Sequence, residues 1–245
     1  MKVLLLAAGG DVAGGDTYPL ALEELDGIPL IEHVVRACRK IPGAEIVVAV
    51  RERDARRYSL SGILRILDPR VRIVEVENET AGAACTALLA TEYIDNDEEL
   101  LIVSVNELVN IHFGEVTDSF RAQGFSAGTV VFPSVHPRYS YVKLNEDGHV
   151  VQAEEKHTIS HTATAGFYWY RTGAAFVAAA KRMILKGADV DGRYYICPTL
   201  NEFILDGVLV GAHAVAADDY HPLKTDRQVE RYEAGSTHTG SVRKI

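Results

Sequence analysis

Through residues 1–106, short apolar runs alternate with stretches of helical period. Val3-Leu4-Leu5-Leu6 is unbroken, the pattern of a strand buried on both faces of a parallel sheet. A glycine-rich loop follows. From Pro29, Leu30, Ile31, Val34, Val35 and Cys38 recur at helical spacing behind a proline suited to a first turn. Ile46–Val50, Val71–Val76 and Leu100–Val105 repeat the strand pattern, with helices predicted over Asp54–Leu67 and Ala81–Tyr93. This βαβ rhythm predicts a mostly parallel sheet covered by helices on both faces.

Beyond residue 106 strands predominate: Ala127–Phe132, Tyr139–Asn145, His149–Glu154 and Thr162–Tyr170, with few helical residues expected between them. Asn145-Glu146-Asp147-Gly148 is a turn signal joining two of these strands. Helices are predicted again over Gly173–Leu185, Pro198–Leu205 and Asp226–Glu233, and a strand over Val208–Val215. No repeat or linker interrupts the chain. It is therefore divided into one domain over 1–234, comprising a nucleotide-type half (1–106) and a second half (107–234), with a flexible tail over 235–245. Open parallel sheets bind ligands beyond the carboxyl ends of their strands, so the loops after Leu6, Val50, Val76 and Val105 are the ones to examine.

Composition narrows the classes. The 245 residues are 47% hydrophobic and 24% charged, which excludes a disordered chain. A net charge of −9 argues against nucleic acid or an anionic membrane as the main partner. No apolar run approaches the roughly 20 residues of a membrane span, and Val3–Ala8 is too short for a signal-peptide core. Cys38, Cys85 and Cys197 are far apart in apolar stretches and read as reduced core residues. A cytoplasmic protein is expected. The serines form no nucleophile elbow, and covalent hydrolase chemistry has no support.

Several segments, in order, carry a family likeness. Leu6-Ala7-Ala8-Gly9-Gly10, then Gly27-Ile28-Pro29-Leu30-Ile31-Glu32-His33-Val34, resembles the opening of the sugar-phosphate nucleotidyltransferases, or nucleoside-diphosphate-sugar pyrophosphorylases. Thr80-Ala81-Gly82-Ala83-Ala84-Cys85-Thr86 resembles their base-side loop. Glu155-Lys156 with Gly166-Phe167-Tyr168-Trp169-Tyr170 resembles their sugar-phosphate segment, and Arg193–Glu202 a later helix start in short bacterial members. The likeness implies a single-domain, three-layer α/β fold of the nucleotide-diphospho-sugar transferase type, GT-A-like and Rossmann-related. It implies a reaction of a nucleoside triphosphate with a sugar phosphate or similar small phosphorylated acceptor, giving NDP-sugar and pyrophosphate, with Mg2+ as cofactor. For short bacterial members it also implies a role in polysaccharide-precursor synthesis. Carried over by position, Ala8, Gly9, Gly10, Thr80 and Gly82 would bind nucleotide. Tyr139, Ser140, Glu155, Lys156 and Gly166 would bind the acceptor, Lys156 with a catalytic role. Asn106, aligned with the family's metal-binding Asp, would face the metal, with Asp11 as a substitute ligand.

The departures concentrate on one site. The family's Gly-x-Gly-x-Arg becomes Gly9-Gly10-Asp11-Val12-Ala13-Gly14-Gly15-Asp16-Thr17-Tyr18, with no Arg or Lys; its Pro-Lys becomes Pro19-Leu20; its metal-binding Asp becomes Asn106, and Asn110 also stands where related short members often have Asp. A carboxylate about 6 Å from one phosphate charge costs roughly 3 kcal/mol at an effective dielectric of 20. Asp11 and Asp16 are either solvated loop residues or replacement metal ligands, and Glu107 is a second candidate for the missing charge. Arg51 and Arg53 either replace a phosphate cation or join Glu52 and Asp54 in a solvated cluster. His157 and His161 lie in a loop or strand, where a spacing of four does not place them on one face. Two functions stay open: a nucleotidyltransferase with substitute residues, or a catalytically silent nucleotide or NDP-sugar binder, as a homo-oligomer or beside a complete paralogue.

Overall fold

The computed structural model describes residues 1–9 and 18–223. Lys2–Leu6 (β1) lies at the centre of the parallel half, with Val3, Leu4 and Leu5 fully buried. Glu24–Leu25 (β2) and Ile28–Pro29 (β3) form a hairpin whose turn residues Asp26 and Gly27 both have positive φ, the geometry of a tight primed turn. Leu30–Arg39 (α1) buries Leu30, Ile31, Val34, Val35 and Cys38, the stripe that the sequence spacing predicts. Then come Glu45–Arg51 (β4), Glu52–Arg57 (α2), Leu60–Leu67 (α3), Arg72–Val76 (β5), Ala83–Leu88 (α4), Thr91–Ile94 (α5) and Leu100–Ser104 (β6). Two predicted helices are each split. Ser59, in the left-handed region at φ 51°, separates α2 from α3, and Leu89-Ala90 separates α4 from α5.

The second half contains Glu107–Val109 (β7), Phe113–Ala122 (α6), Ala127–Pro133 (β8), Ser140–Leu144 (β9), Val150–Glu155 (β10), Thr162–Tyr170 (β11), Gly173–Leu185 (α7), Leu200–Leu205 (α8), Val210–Ala214 (β12) and Tyr220–Pro222 (β13). No helix interrupts β8 to β11, as expected; α6 lies ahead of them, over residues for which no element is predicted, and buries Phe113, Val116, Thr117 and Phe120 along one face. Gly114 and Thr117 are weak helix formers, and tertiary packing of that face overrides them. The expected turn holds: Asn145 Oδ1 accepts from the amides of Asp147 and His149 at 3.1 and 2.8 Å, and Gly148 takes φ 81°. The predicted helix over Asp226–Glu233 and the tail over 235–245 lie outside the described residues.

The main sheet runs β10-β9-β11-β6-β1-β4-β5, with β8 on the other edge of β11 and β12 beyond it. β1 pairs in parallel with both neighbours, Leu4 standing opposite Val47 and Ile102. β11 enters antiparallel to β6. Side chains alternate across β1, so Val3 and Leu5 join the core beneath α1, α3 and α6, while Leu4 joins the one beneath α4, α7 and α8. The result is three layers, with the ends of β1, β4, β5 and β6 facing the same way. Among the described residues no helix is long and apolar enough to cross a membrane.

α7 and α8 are clamped by one buried carboxylate. Glu202 accepts from Lys186 Nζ at 2.8 Å and from Arg182 Nε at 3.1 Å. Burial pushes its carboxyl up, but those hydrogen bonds outweigh burial and hold it below its ordinary value. Its stabilisation is therefore present above the unfolded value of about 4.3 and is lost as pH falls through the lower folded value. Glu202→Ala is expected to cost about 2 kcal/mol, because it removes charge-assisted bonds from a buried acceptor. Lys186→Ala, which leaves Arg182 in place, should cost less than about 1 kcal/mol. Urea melts at pH 7 and pH 4 check both values; the Glu202 effect should shrink at the lower pH.

Candidate functional site

Beyond the ends of β1, β4, β5 and β6 lies a cavity of about 440 Å³. Ala8 and Gly9 form its floor after β1. Arg51 and Arg53 enter from β4, residues 77–80, Gly82 and Ala83 from the loop after β5, and Ser104 and Asn106 from the end of β6. Arg193 and Tyr195 close it from a segment distant in sequence. Ala8, Gly9, Thr80, Gly82 and Asn106, singled out in the sequence, thus come together. Gly10, Asp11 and Asp16 lie outside the described residues.

The loop after β5 is held from within and from outside. The hydroxyls of Thr80 and Thr86 lie 2.6 Å apart, and both close on the Gly82 carbonyl, at 3.1 and 3.3 Å. Tyr194 N donates to Ala81 O at 2.7 Å, and Tyr194 O accepts from Ala84 N at 3.0 Å. Gly82 sits between these bonds at φ 110°, ψ 175°, a region essentially limited to glycine. A Cβ there would fall 2.4 Å from Tyr194 O. The segment carrying Arg193 and Tyr195 is therefore fixed to the loop after β5 through backbone.

The five residues carried over to the acceptor side do not line this cavity; they gather beside it. β9–β10 pairing sets Ser140 opposite Glu155, and Ser140 Oγ donates to the buried Glu155 carboxylate. Lys156 N donates to Tyr139 O at 3.1 Å, while Lys156 itself takes φ 54°. Its Nζ donates to Tyr195 Oη at 2.7 Å, which links the end of β10 to the cavity wall. Gly166 has φ 63°, and a Cβ on it would lie 2.9 Å from the Glu107 carboxylate. That carboxylate accepts from Tyr220 Oη at 2.8 Å, and the Tyr220 ring stacks on Phe132 at 3.9 Å with Tyr139 edge-on. Burial, and after it Glu107, pushes the Tyr220 phenol far up, so it stays a protonated donor. Burial, with a smaller contribution from Glu155, does the same to the Cys197 thiol.

Glu107 thus engages Tyr220 and Gly166 and is not part of the cavity wall beside Asn106. Asn110 Nδ2 lies 3.1 Å from His221 Nε2, on the two-stranded β7–β13 unit. Mg2+ requires oxygen ligands with carboxylate charge among them. Asn106 brings a neutral carboxamide, and among the described residues no group of three His, Cys, Asp or Glu could hold a metal ion. Glu77 and Glu79 also line the cavity, but Glu79 pairs with Arg193, and without a third acidic group in the described lining they do not by themselves fit the ion.

Known proteins agree with this architecture. The family model "Nucleotidyl transferase" matches residues 15–192. The chain belongs to the nucleotidyl transferase family. Within this family it is similar to the bifunctional protein GlmU of Leifsonia xyli subsp. xyli, with 28% identity over 154 residues, 60% of this chain. The match spans 31% of that relative, so the chain corresponds to about a third of its length. In fold it is similar to the nucleoside-diphosphate-sugar pyrophosphorylase from Vibrio cholerae RC9, with a TM-score of 0.80 and 20% identity, covering 94% of this chain and 99% of that one. It is also similar to the inositol-1-phosphate CTP transferase from T. maritima, with a TM-score of 0.73 and 17% identity, covering 98% and 97%. The three-layer, mostly parallel α/β sheet is the Rossmann-like fold of these transferases.

Arg193 and Tyr195 belong to the segment that resembles a helix start, a likeness that implies no role for either. Nothing local marks them as cavity residues. The backbone bonds of Tyr194 to residues 81 and 84 bring them there, and such bonds leave no side-chain signature.

Proposed function

We propose that the chain binds a nucleoside triphosphate in the cavity and transfers its nucleotidyl group to a sugar phosphate or similar small phosphorylated acceptor. A phosphate oxygen of the acceptor forms a bond to the α-phosphorus. The bond from that phosphorus to the bridging oxygen of the β-phosphate breaks, and pyrophosphate leaves with the bonding pair. The observation that carries this reading is the convergence of Ala8, Gly9, Thr80, Gly82 and Asn106, from three separate strand ends, on one cavity large enough for a nucleotide. Lys156 hydrogen-bonds to Tyr195 on the wall, so an acceptor phosphate held by its ammonium would lie beside the nucleotide. Glu155, already accepting from Ser140, would take acceptor hydroxyls. The protein's contribution is positioning and electrostatics.

The neutral Asn106, and the lack of an acidic cluster among the described residues, favour the second reading: a silent binder of nucleotide or NDP-sugar. Pyrophosphate release from CTP, UTP, dTTP and ATP, assayed with a panel of sugar and polyol phosphates, separates the two. Release that depends on both substrates supports transfer; nucleotide binding with no release under any pairing supports the silent binder. Asn106→Asp should raise Mg2+ affinity by about tenfold through the added carboxylate. Unchanged Mg2+ binding by that variant would show that Asn106 is not at the cation position.

A further inference from the structure

We infer that Arg193 is a phosphate-binding residue of this cavity, which exchanges Glu79 for the polyphosphate of an arriving nucleotide. The inference rests on the nucleotide reading above and adds the source of positive charge. The loop from Gly9 to Tyr18 has no Arg or Lys, and Pro19 is followed by Leu20, so the phosphates need cations from other walls. The described lining offers three arginines: Arg51, Arg53 and Arg193.

Their carboxylate partners distinguish them. Arg51 Nε donates to Asp54 Oδ2 at 2.5 Å, and the two side chains are only 14% and 7% exposed. Arg53 Nε stands 3.6 Å from the same carboxylate with its side chain 60% exposed, so the buried pairing holds back Arg51 and not Arg53. Drawing Arg51 away would leave Asp54 buried without its main counter-charge, which is strongly unfavourable. Arg193 instead donates to Glu79 Oε1 at 2.8 Å, with side chains 52% and 73% exposed. Such a pair contributes little in water, and Glu79 is readily solvated when it is released. A phosphate, by contrast, matches the guanidinium fork with two parallel hydrogen bonds.

Only the side chain has to move. The Arg193 backbone is tied to Val190 by bonds of 2.9 and 3.1 Å, and the next residue is pinned to the base-side loop at Ala81 and Ala84. Arg193 thus has a tethered backbone and a half-exposed, charged end on the cavity wall. Glu79 occupies it until a stronger anion arrives, and lowers phosphate affinity by doing so.

The test is calorimetric titration with whichever of CTP, UTP, dTTP and ATP binds most tightly, and with the matching nucleoside. Arg193→Ala should weaken triphosphate binding by about tenfold or more and leave nucleoside binding within about twofold. Arg193→Lys, which keeps the charge and loses the fork, should weaken it by about threefold. Glu79→Gln should tighten it by about threefold, the opposite sign. A pair that merely orders the loop would respond alike to either substitution. Triphosphate affinity unchanged in Arg193→Ala, or weakened in Glu79→Gln, overturns the inference while the nucleotide reading stands. No triphosphate binding by the unaltered chain overturns both.

Discussion

Gly82→Ala is expected to lower the melting temperature by about 10 °C and to weaken nucleotide binding by more than about tenfold. Two penalties add. The backbone at φ 110°, ψ 175° is one that an L side chain avoids, at about 1–3 kcal/mol. The new Cβ would also stand 2.4 Å from Tyr194 O and 2.7 Å from its N, backbone atoms that cannot turn aside. Relieving that overlap costs a further 1–3 kcal/mol, about 4 in all, and each kcal/mol moves the midpoint of a chain this size by about 2–4 °C. Either relief, shifting the loop or shifting residues 193–195, separates two walls of the cavity. Gly148→Ala is the control: its φ is also positive at 81°, yet nothing lies within 4 Å of a Cβ there. It should melt within about 4 °C of the parent, the strain alone being about 1 kcal/mol. Equal melting points for the two variants would show that the close approach at Gly82 does not organise the site.

Lys156→Ala should leave nucleotide affinity within about twofold and reduce kcat/KM for the acceptor by about 100-fold, near 2.7 kcal/mol of transition-state stabilisation. The reasoning is geometric. Lys156 follows β10 with φ 54°, so its side chain departs from the strand's alternation and reaches Tyr195 on the cavity wall. Lys156→Gly separates loss of activity from loss of fold: it relieves the left-handed backbone and should fold at least as well as Lys156→Ala while losing the same activity. Acceptor KM and kcat with nucleotide saturating, together with a melt of each variant, give the answer. Retained turnover in both variants would remove Lys156 from the reaction.

The strands of the parallel half were legible because burial on both faces leaves a run that only a central strand needs. Val3–Leu6 and Ile46–Val50 carry it, and their order already directs attention to the ends where the cavity lies. α6 was harder to read, since its buried face includes the polar Thr117 and its first turn carries Gly114, and packing against the sheet makes it a helix. The short β7–β13 pair was invisible for another reason. Strands of three residues, more than 100 positions apart, have no periodicity to detect. The consequence reached the site: Glu107, adjacent to Asn106 in sequence, bonds to Tyr220 and fills the space left by Gly166, away from the cavity wall. Likewise Tyr139, Ser140, Glu155 and Lys156 do gather, and Ser140 meets Glu155, but their link to the cavity runs through Tyr195, whose position no local pattern announces.

The central claim is that the cavity accepts a nucleoside triphosphate. Its most direct test is calorimetric titration of the full chain with CTP, UTP, dTTP and ATP, each with and without Mg2+. The account predicts saturable binding of at least one triphosphate, with a dissociation constant between about 1 μM and 1 mM, weakened by more than about tenfold in Gly82→Ala. No heat of binding for any of the four at about 1 mM, with or without the ion, would contradict it.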